Sequence, residues 1–139
     1  MKPLLLQITL AFAAALPLAA SAQESSNLSQ KFGACMDKSD GVTVNMMDCI
    51  DAEIKRQDVR LNKAYKTLMA AMTAADSTPE RKKQLQAAQR AWIKFRDLNC
   101  DFYHDPDGGT IAGVNANSCM MQMTADRAKE LENFIAQAS

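Results

Sequence analysis

The sequence predicts an all-α protein, a small three-to-four-helix up-down bundle stapled by two disulfides. Apolar residues recur at steps of three and four over two long stretches without internal glycine or proline. Four cysteines, an even number, sit in a chain of 139 residues that opens with an export-type leader. Turn clusters at Ser39-Asp40-Gly41, Asp76-Ser77-Thr78-Pro79 and Asp105-Pro106-Asp107-Gly108-Gly109 separate the helical stretches.

Residues 1–22 read as a signal peptide. Lys2 supplies the positive start, Leu4 to Leu18 an apolar run broken only by Gln7, Thr9 and Pro17, and Ala20-Ser21-Ala22 the small-residue cleavage site. A membrane anchor is the alternative, but the run falls short of the roughly 20 apolar residues that a spanning helix needs. No lipobox cysteine comes after it, so the expectation is a periplasmic or secreted protein without stable membrane insertion after cleavage. About 117 residues then remain, enough for one domain with a modest core. Loss of Lys2 takes the formal net charge from zero to −1, far from the basic footprint of a nucleic-acid binder.

Residues 23–34 are polar and serine-rich at first and read as a flexible leader, with the folded domain expected over 35–139. Phe32 to Met36 is a short segment that ends at Ser39-Asp40-Gly41, and Thr43 is placed to cap the long helix after that turn. From about residue 45 to 75, Ile50, Ile54, Leu61, Tyr65, Leu68 and Met72 line one face of this helix. Asp58 falls on or beside that face; Asp51, Glu53, Lys55, Arg56, Lys63 and Lys66 read as its solvated side. The next helix is capped by Thr78 with Pro79 at its first position, or by a Ser77–Glu80 capping box, and runs to about Asn99.

That helix carries the stretch Gln89 to Cys100, with the single tryptophan. Leu85, Ala88, Trp92, Phe95 and Asn99 share a face, so it reads as the core helix around which the others are built. Residues 101–118 read as the one long irregular segment, because Gly113, Asn115 and Asn117 come after the Asp-Pro-Asp-Gly-Gly turn. A last helix presents Met120, Thr124, Ala128, Leu131, Ile135 and Ala138.

Several of these residues also form a pattern. Cys49, Asp58, Leu61, Asn62 and Tyr65 are followed by Gln89, Trp92, Phe95, Arg96 and Cys100; Gly108-Gly109-Thr110 precede Cys119, Thr124, Arg127 and Leu131. In this order, from about Cys35 to Phe134, the chain resembles the lysozyme inhibitor LprI-like family. The resemblance implies a small exported helical domain and, for the member that names the family, inhibition of lysozyme. Asp58, Leu61, Asn62, Tyr65, Trp92, Phe95, Arg96, Arg127 and Leu131 read as structural core, with Arg96 or Arg127 pairing with Asp58. The resemblance carries no catalytic set.

The cysteine pairing that runs in chain order joins Cys35 to Cys49 and Cys100 to Cys119, though two other connectivities are open. With no Cys-x-x-Cys pair, a redox-active role is disfavoured. A zinc set of Cys100, His104 and Cys119 matches by residue type, but its spacing is wide and exported cysteines oxidise, so no metal or cofactor is expected. Eight methionines lie beyond the leader, including Met46-Met47 and the Met120, Met121, Met123 run. Thioethers in an exported protein suit Cu(I), so a methionine-based copper-binding protein is the alternative function, weighed against methionine as core filler.

The candidate partner-binding residues lie in the segment 101–118, namely Asp101, His104, Asp105, Asp107, Gly108 and Gly109. Three aspartates and no lysine or arginine give it a local charge of −3. Common lysozymes are strongly basic, and an acidic projection speeds encounter with such a partner. The reading is a binding protein that inhibits lysozyme or a related peptidoglycan hydrolase; a scaffold or immunity partner of another secreted protein is a further alternative. With one histidine and no nucleophile–base motif, the chain suggests no enzyme.

Overall fold

The computed structural model describes residues 27–74 and 78–137. They form four helices, α1 Gln30–Lys38, α2 Thr43–Ala74, α3 Pro79–Asp101 and α4 Gly109–Gln137. The expected signal peptide and its cleavage site lie outside the described residues, as do Ser77 and Ala138. Both disulfides run in chain order: Cys35–Cys49 ties α1 to α2 and Cys100–Cys119 ties α3 to α4.

Helices α2 and α4 are the centre. Asp51 meets Asn117 and Arg60 meets Glu132, so the two run in the same direction; α3 packs on the outside of this pair in the opposite one, with Gln89, Arg96 and Cys100 meeting Arg127, Thr124 and Cys119. The buried stripe of α2 is Ile50, Glu53, Gln57, Leu61, Ala64 and Leu68, at steps of three and four. On α4 the matching stripe is Val114, Met121, Thr124, Ala125, Ala128 and Leu131. Ala125 and Ala128 are fully buried, and their small side chains let the two backbones approach.

The core falls into two clusters along this seam. Ile50, Val114 and Met121 form one, with Leu28, Phe32, Met46, Met47 and Ile54 against it. Leu61, Ala64, Leu68, Ala128 and Leu131 form the other, flanked by Tyr65, Met72, Leu85, Trp92 and Ile135. Between them on α2 lie Glu53 and Gln57, both buried. Glu53 therefore does not belong to the solvated face that its charge suggests.

Its carboxylate accepts from Ser29 N–H (2.7 Å), Ser29 Oγ (2.6 Å), Arg56 Nε (2.6 Å) and Gln57 Nε2 (2.6 Å). Burial pushes the carboxyl up, but these donors outweigh it and hold Glu53 at about 2, against an ordinary 4.5. Arg60 completes the layer, donating to the Asn27 carbonyl and, through two parallel bonds of 2.7 Å, to Glu132.

This layer overturns the flexible-leader expectation for residues 27–34. Ser29 caps α1 through its side chain while bonding Glu53, and Phe32 packs on the core. The α1–α2 turn lies where expected: Asp40 and Gly41 take positive φ of 50° and 70°.

Two further expectations change. Helix α4 starts at Gly109, not near Met120, so the irregular segment shrinks to 102–108. Ala112, Val114 and Ala116 are buried. Burial of that face, with the Asn117–Asp51 bond, overrides the poor helix propensities of Gly113, Asn115 and Asn117.

The second change concerns α3, which is not the core helix. Phe95 is 58% exposed and Trp92 only partly buried, and on α3 only Gln89 and Cys100 are fully buried. The inward face is Leu85, Gln89, Trp92, Arg96 and Cys100, one step round from the face that apolar residue types suggest. Polar partners on α4 select it.

Candidate functional site

Helix α3 is seated by a polar clasp. Arg96 donates to Thr124 Oγ1 at 3.1 Å, pairs with Asp97 at 2.8 Å and with Asp58 at 3.7 Å, linking all three long helices. Arg127 donates to Gln89 Oε1 at 3.1 Å and pairs with Glu130. The two guanidiniums lie 5.2 and 5.9 Å from the centre of the Trp92 ring, so the indole sits among cations that its π-face attracts. Thr124 is fully buried and in turn donates to the Met120 carbonyl at 2.7 Å.

Of the residues expected in the core, Leu61 and Leu131 are buried, Tyr65 and Trp92 flank the core, and Arg96 and Arg127 form the clasp. Asp58 is its half-exposed acid. Asn62 and Phe95 point to solvent, and neither is a core residue. For Asn62 the reason is register, because its neighbours Leu61 and Ala64 occupy the seam.

Beyond the clasp, the turn 102–108 joins α3 to α4 at one end of the bundle. The Cys100–Cys119 bridge, with Cα atoms 5.4 Å apart, closes its base. Tyr103 N–H donates to the Cys100 carbonyl, His104 N–H to the Asp101 carbonyl, and Gly108 N–H to the Asp105 carbonyl. Asp105 Oδ1 also accepts the Asp107 N–H at 2.9 Å, an Asx-type turn.

The two glycines have separate reasons. A Cβ at Gly108 would stand 3.0 Å from the Ala112 Cβ and 3.1 Å from the Asp105 Cβ; Gly109 opens α4 at φ +62°.

Asp101, His104, Asp105, Asp107 and Gly109 are all exposed, with Gly108 half-buried. The structure brings these six together on one protrusion. Among the described residues no cation pairs with the carboxylates of Asp101, Asp105 or Asp107, so their field projects outward.

Shallow recesses flank the bridge. One of about 240 Å³ is lined by Asp97, Asp101, His104, Asn117 and Met120; one of about 610 Å³ lies against Asn99, Tyr103, Ser118 and Met123. Sequence reasoning missed Phe102, which is 85% exposed, with its ring edge-on to Tyr103 at 5.9 Å. Its place one turn after Leu98 was the available signal.

The metal alternatives meet specific facts. Cys100 and Cys119 are spent in the disulfide, so neither offers a zinc-binding thiolate. Met123 Sδ lies 3.6 and 3.8 Å from the two bridge sulfurs and accepts from Asn99 Nδ2, while Met121 is buried in the core. Met46, Met47 and Met72 pack against the two clusters.

The profile of a family described as lysozyme inhibitor LprI matches residues 35–131, from the first bridged cysteine to the buried leucine of α4. The chain belongs to the LprI lysozyme inhibitor family. The description of that family is of a lysozyme inhibitor, and the two disulfides of this chain suit an oxidising compartment. The uncharacterized protein R02472 of Rhizobium meliloti (strain 1021) is 31% identical over 107 residues, covering 68% of this chain and 77% of that one. No solved structure matches the chain. Among the described residues no helix is long and apolar enough to cross a membrane.

Proposed function

We propose that this protein is exported and, in the periplasm or outside the cell, inhibits lysozyme or a related peptidoglycan hydrolase by docking the 102–108 turn and its flanks. The observation that carries the reading is the unpaired acidic protrusion in a chain of the LprI family. Asp101 and Asp107 meet basic residues on the rim of the enzyme cleft, and the field of the three aspartates accelerates encounter. Asp105 acts mainly within the turn, since it already accepts a backbone amide. His104 and the Gly109 N–H at the start of α4 suit the two catalytic carboxyls of such a hydrolase. The inhibitor performs no chemistry; it occludes.

The test is clearance of a cell-wall suspension by lysozyme in the presence of the mature oxidised protein. Inhibition at micromolar protein and low salt is expected, weakening as salt is added. An Asp101→Asn, Asp107→Asn variant loses most of it, while Asp105→Asn changes mainly turn stability. Absence of inhibition by the unaltered protein under these conditions rejects the reading.

A further inference from the structure

The outer face of α3 carries a second pattern that the bundle does not use. Gln84, Ala88, Ala91, Phe95, Leu98 and Phe102 succeed one another at steps of four, three, four, three and four. That is the seam spacing of a coiled coil, and it faces away from α2 and α4. All six are exposed; Phe95, Leu98 and Phe102 are 58%, 62% and 85% accessible. Phe102 keeps helical dihedrals (φ −57°, ψ −30°), so the stripe continues through the last turn of α3. Two phenylalanines and a leucine left outward in one row mark an interaction surface.

The order of residues along the stripe identifies what covers it. After Gln84 its first half is small, Ala88 and Ala91, and its second half large, Phe95, Leu98 and Phe102. Charge changes at the same point. Arg81, Lys83, Arg90 and Lys94 lie on the first half; Asp97 and Asp101, then Asp105 and Asp107 in the turn, lie on or beyond the second. Each half is the complement of the other in size and in sign.

We infer that the α3 stripe pairs with the same stripe of a second copy, antiparallel, about a two-fold axis between Phe95 and Leu98. In that arrangement Phe95 of each copy meets Leu98 of the other, and Phe102 fills the hollow over Ala91. Lys94 and Asp101, one heptad apart on the same edge, then face each other twice, once on each side of the axis. A parallel pairing fails on both counts: it opposes alanine to alanine, leaving a void, and sets the two acidic halves side by side. Among the described residues neither Lys94 nor Asp101 has an ion-pair partner within the chain.

Sedimentation equilibrium of the mature oxidised protein from about 1 to 300 micromolar tests this without any hydrolase present, so its outcome is separate from that of the inhibition assay. Conversion from monomer to dimer within that range is expected. Leu98→Glu, at an exposed site, is expected to remain monomeric throughout with unaltered helical circular dichroism. Lys94→Asp and Asp101→Lys each weaken dimerisation about tenfold, because the altered contact occurs twice. The variant carrying both reversals recovers to within about threefold of the original. A monomer at all concentrations overturns the inference. A dimer indifferent to Leu98→Glu, or single reversals that the double reversal does not rescue, overturns it equally, because the contact then lies elsewhere or in another register.

Discussion

Helices α2 and α4 meet mainly through buried leucine and alanine side chains, with the Glu53 layer and the Arg60–Glu132 pair set among them, whereas α3 reaches the same pair through Leu85, part of an indole, two guanidiniums, a glutamine and a disulfide. The first contact is mainly non-directional and draws on apolar area removed from water, at about 25 cal/mol per Å². The second is directional and depends on a few groups being in place. A helix seated by the second kind of contact can keep an apolar face outward, as α3 does with Phe95, Leu98 and Phe102. The stable part of this molecule and its displayed part are therefore different helices.

The sharpest way to break that division is to remove Leu131, which is fully buried at the seam. Leu131→Ala is expected to cost about 3–4 kcal/mol in denaturant unfolding, from lost transfer energy and the cavity left behind. Leu98→Ala, the same deletion on the outer face of α3, should change the monomer's stability by less than about 0.5 kcal/mol. Equal costs at the two sites would erase the distinction.

The buried layer inside the seam makes a pH prediction. Glu53 titrates at about 2 in the folded protein instead of 4.5, so its contribution is complete above pH 4.5 and is lost as pH falls from there towards 2. The amount is roughly 3 kcal/mol. Unfolding measured across that window should show the slope, and Glu53→Gln should flatten it. A slope that survives the substitution would assign the acid sensitivity to other carboxyls.

Removing the bridge of α3 should cost a similar total but act locally. With Cys100 and Cys119 both changed to serine, about 3 kcal/mol is lost in the loop-entropy model. Amide hydrogen exchange should quicken first in the last turns of α3 while the middle of α2 stays protected. Uniform quickening would mean that the dock and the seam unfold as one unit.

Smaller effects than those of the bridge belong to single glycines. Gly109→Ala forces a Cβ into φ +62° and should cost about 1 kcal/mol. Gly33→Ala, mid-helix in α1 with no atom within 4 Å of the new Cβ, should gain about 0.5–1 kcal/mol by thermal unfolding.

Much of the architecture is legible in the sequence because it rests on periodicity and on residues with strong backbone preferences. The extent of α2, the Thr78-Pro79 start of α3 and the Ser39-Asp40-Gly41 turn all come from such rules. Three features depend instead on partners that no local window contains. Glu53 reads as a surface charge until Ser29 and Gln57 are placed around it. The inward face of α3 is chosen by Thr124 and Arg127, so counting apolar residues selects Phe95 and misses Gln89. Gly113, Asn115 and Asn117 argue against helix one at a time, yet burial of Ala112, Val114 and Ala116 carries α4 through them. The candidate turn is legible from its aspartates and glycines; the aromatic row beside it is not, because apolar spacing alone turns Phe95 inward.

The two covalent bridges also share a location. Cys49, Cys100 and Cys119 lie at the end of the bundle where Ile50 meets Val114 and where the acidic turn projects; the opposite end, around Leu68, Leu85 and Ile135, has no cross-link. Thermal fraying and protease entry therefore begin at the far end. A molecule already nicked or partly melted there would still hold the doubly bridged end, and the 102–108 turn with it, in shape.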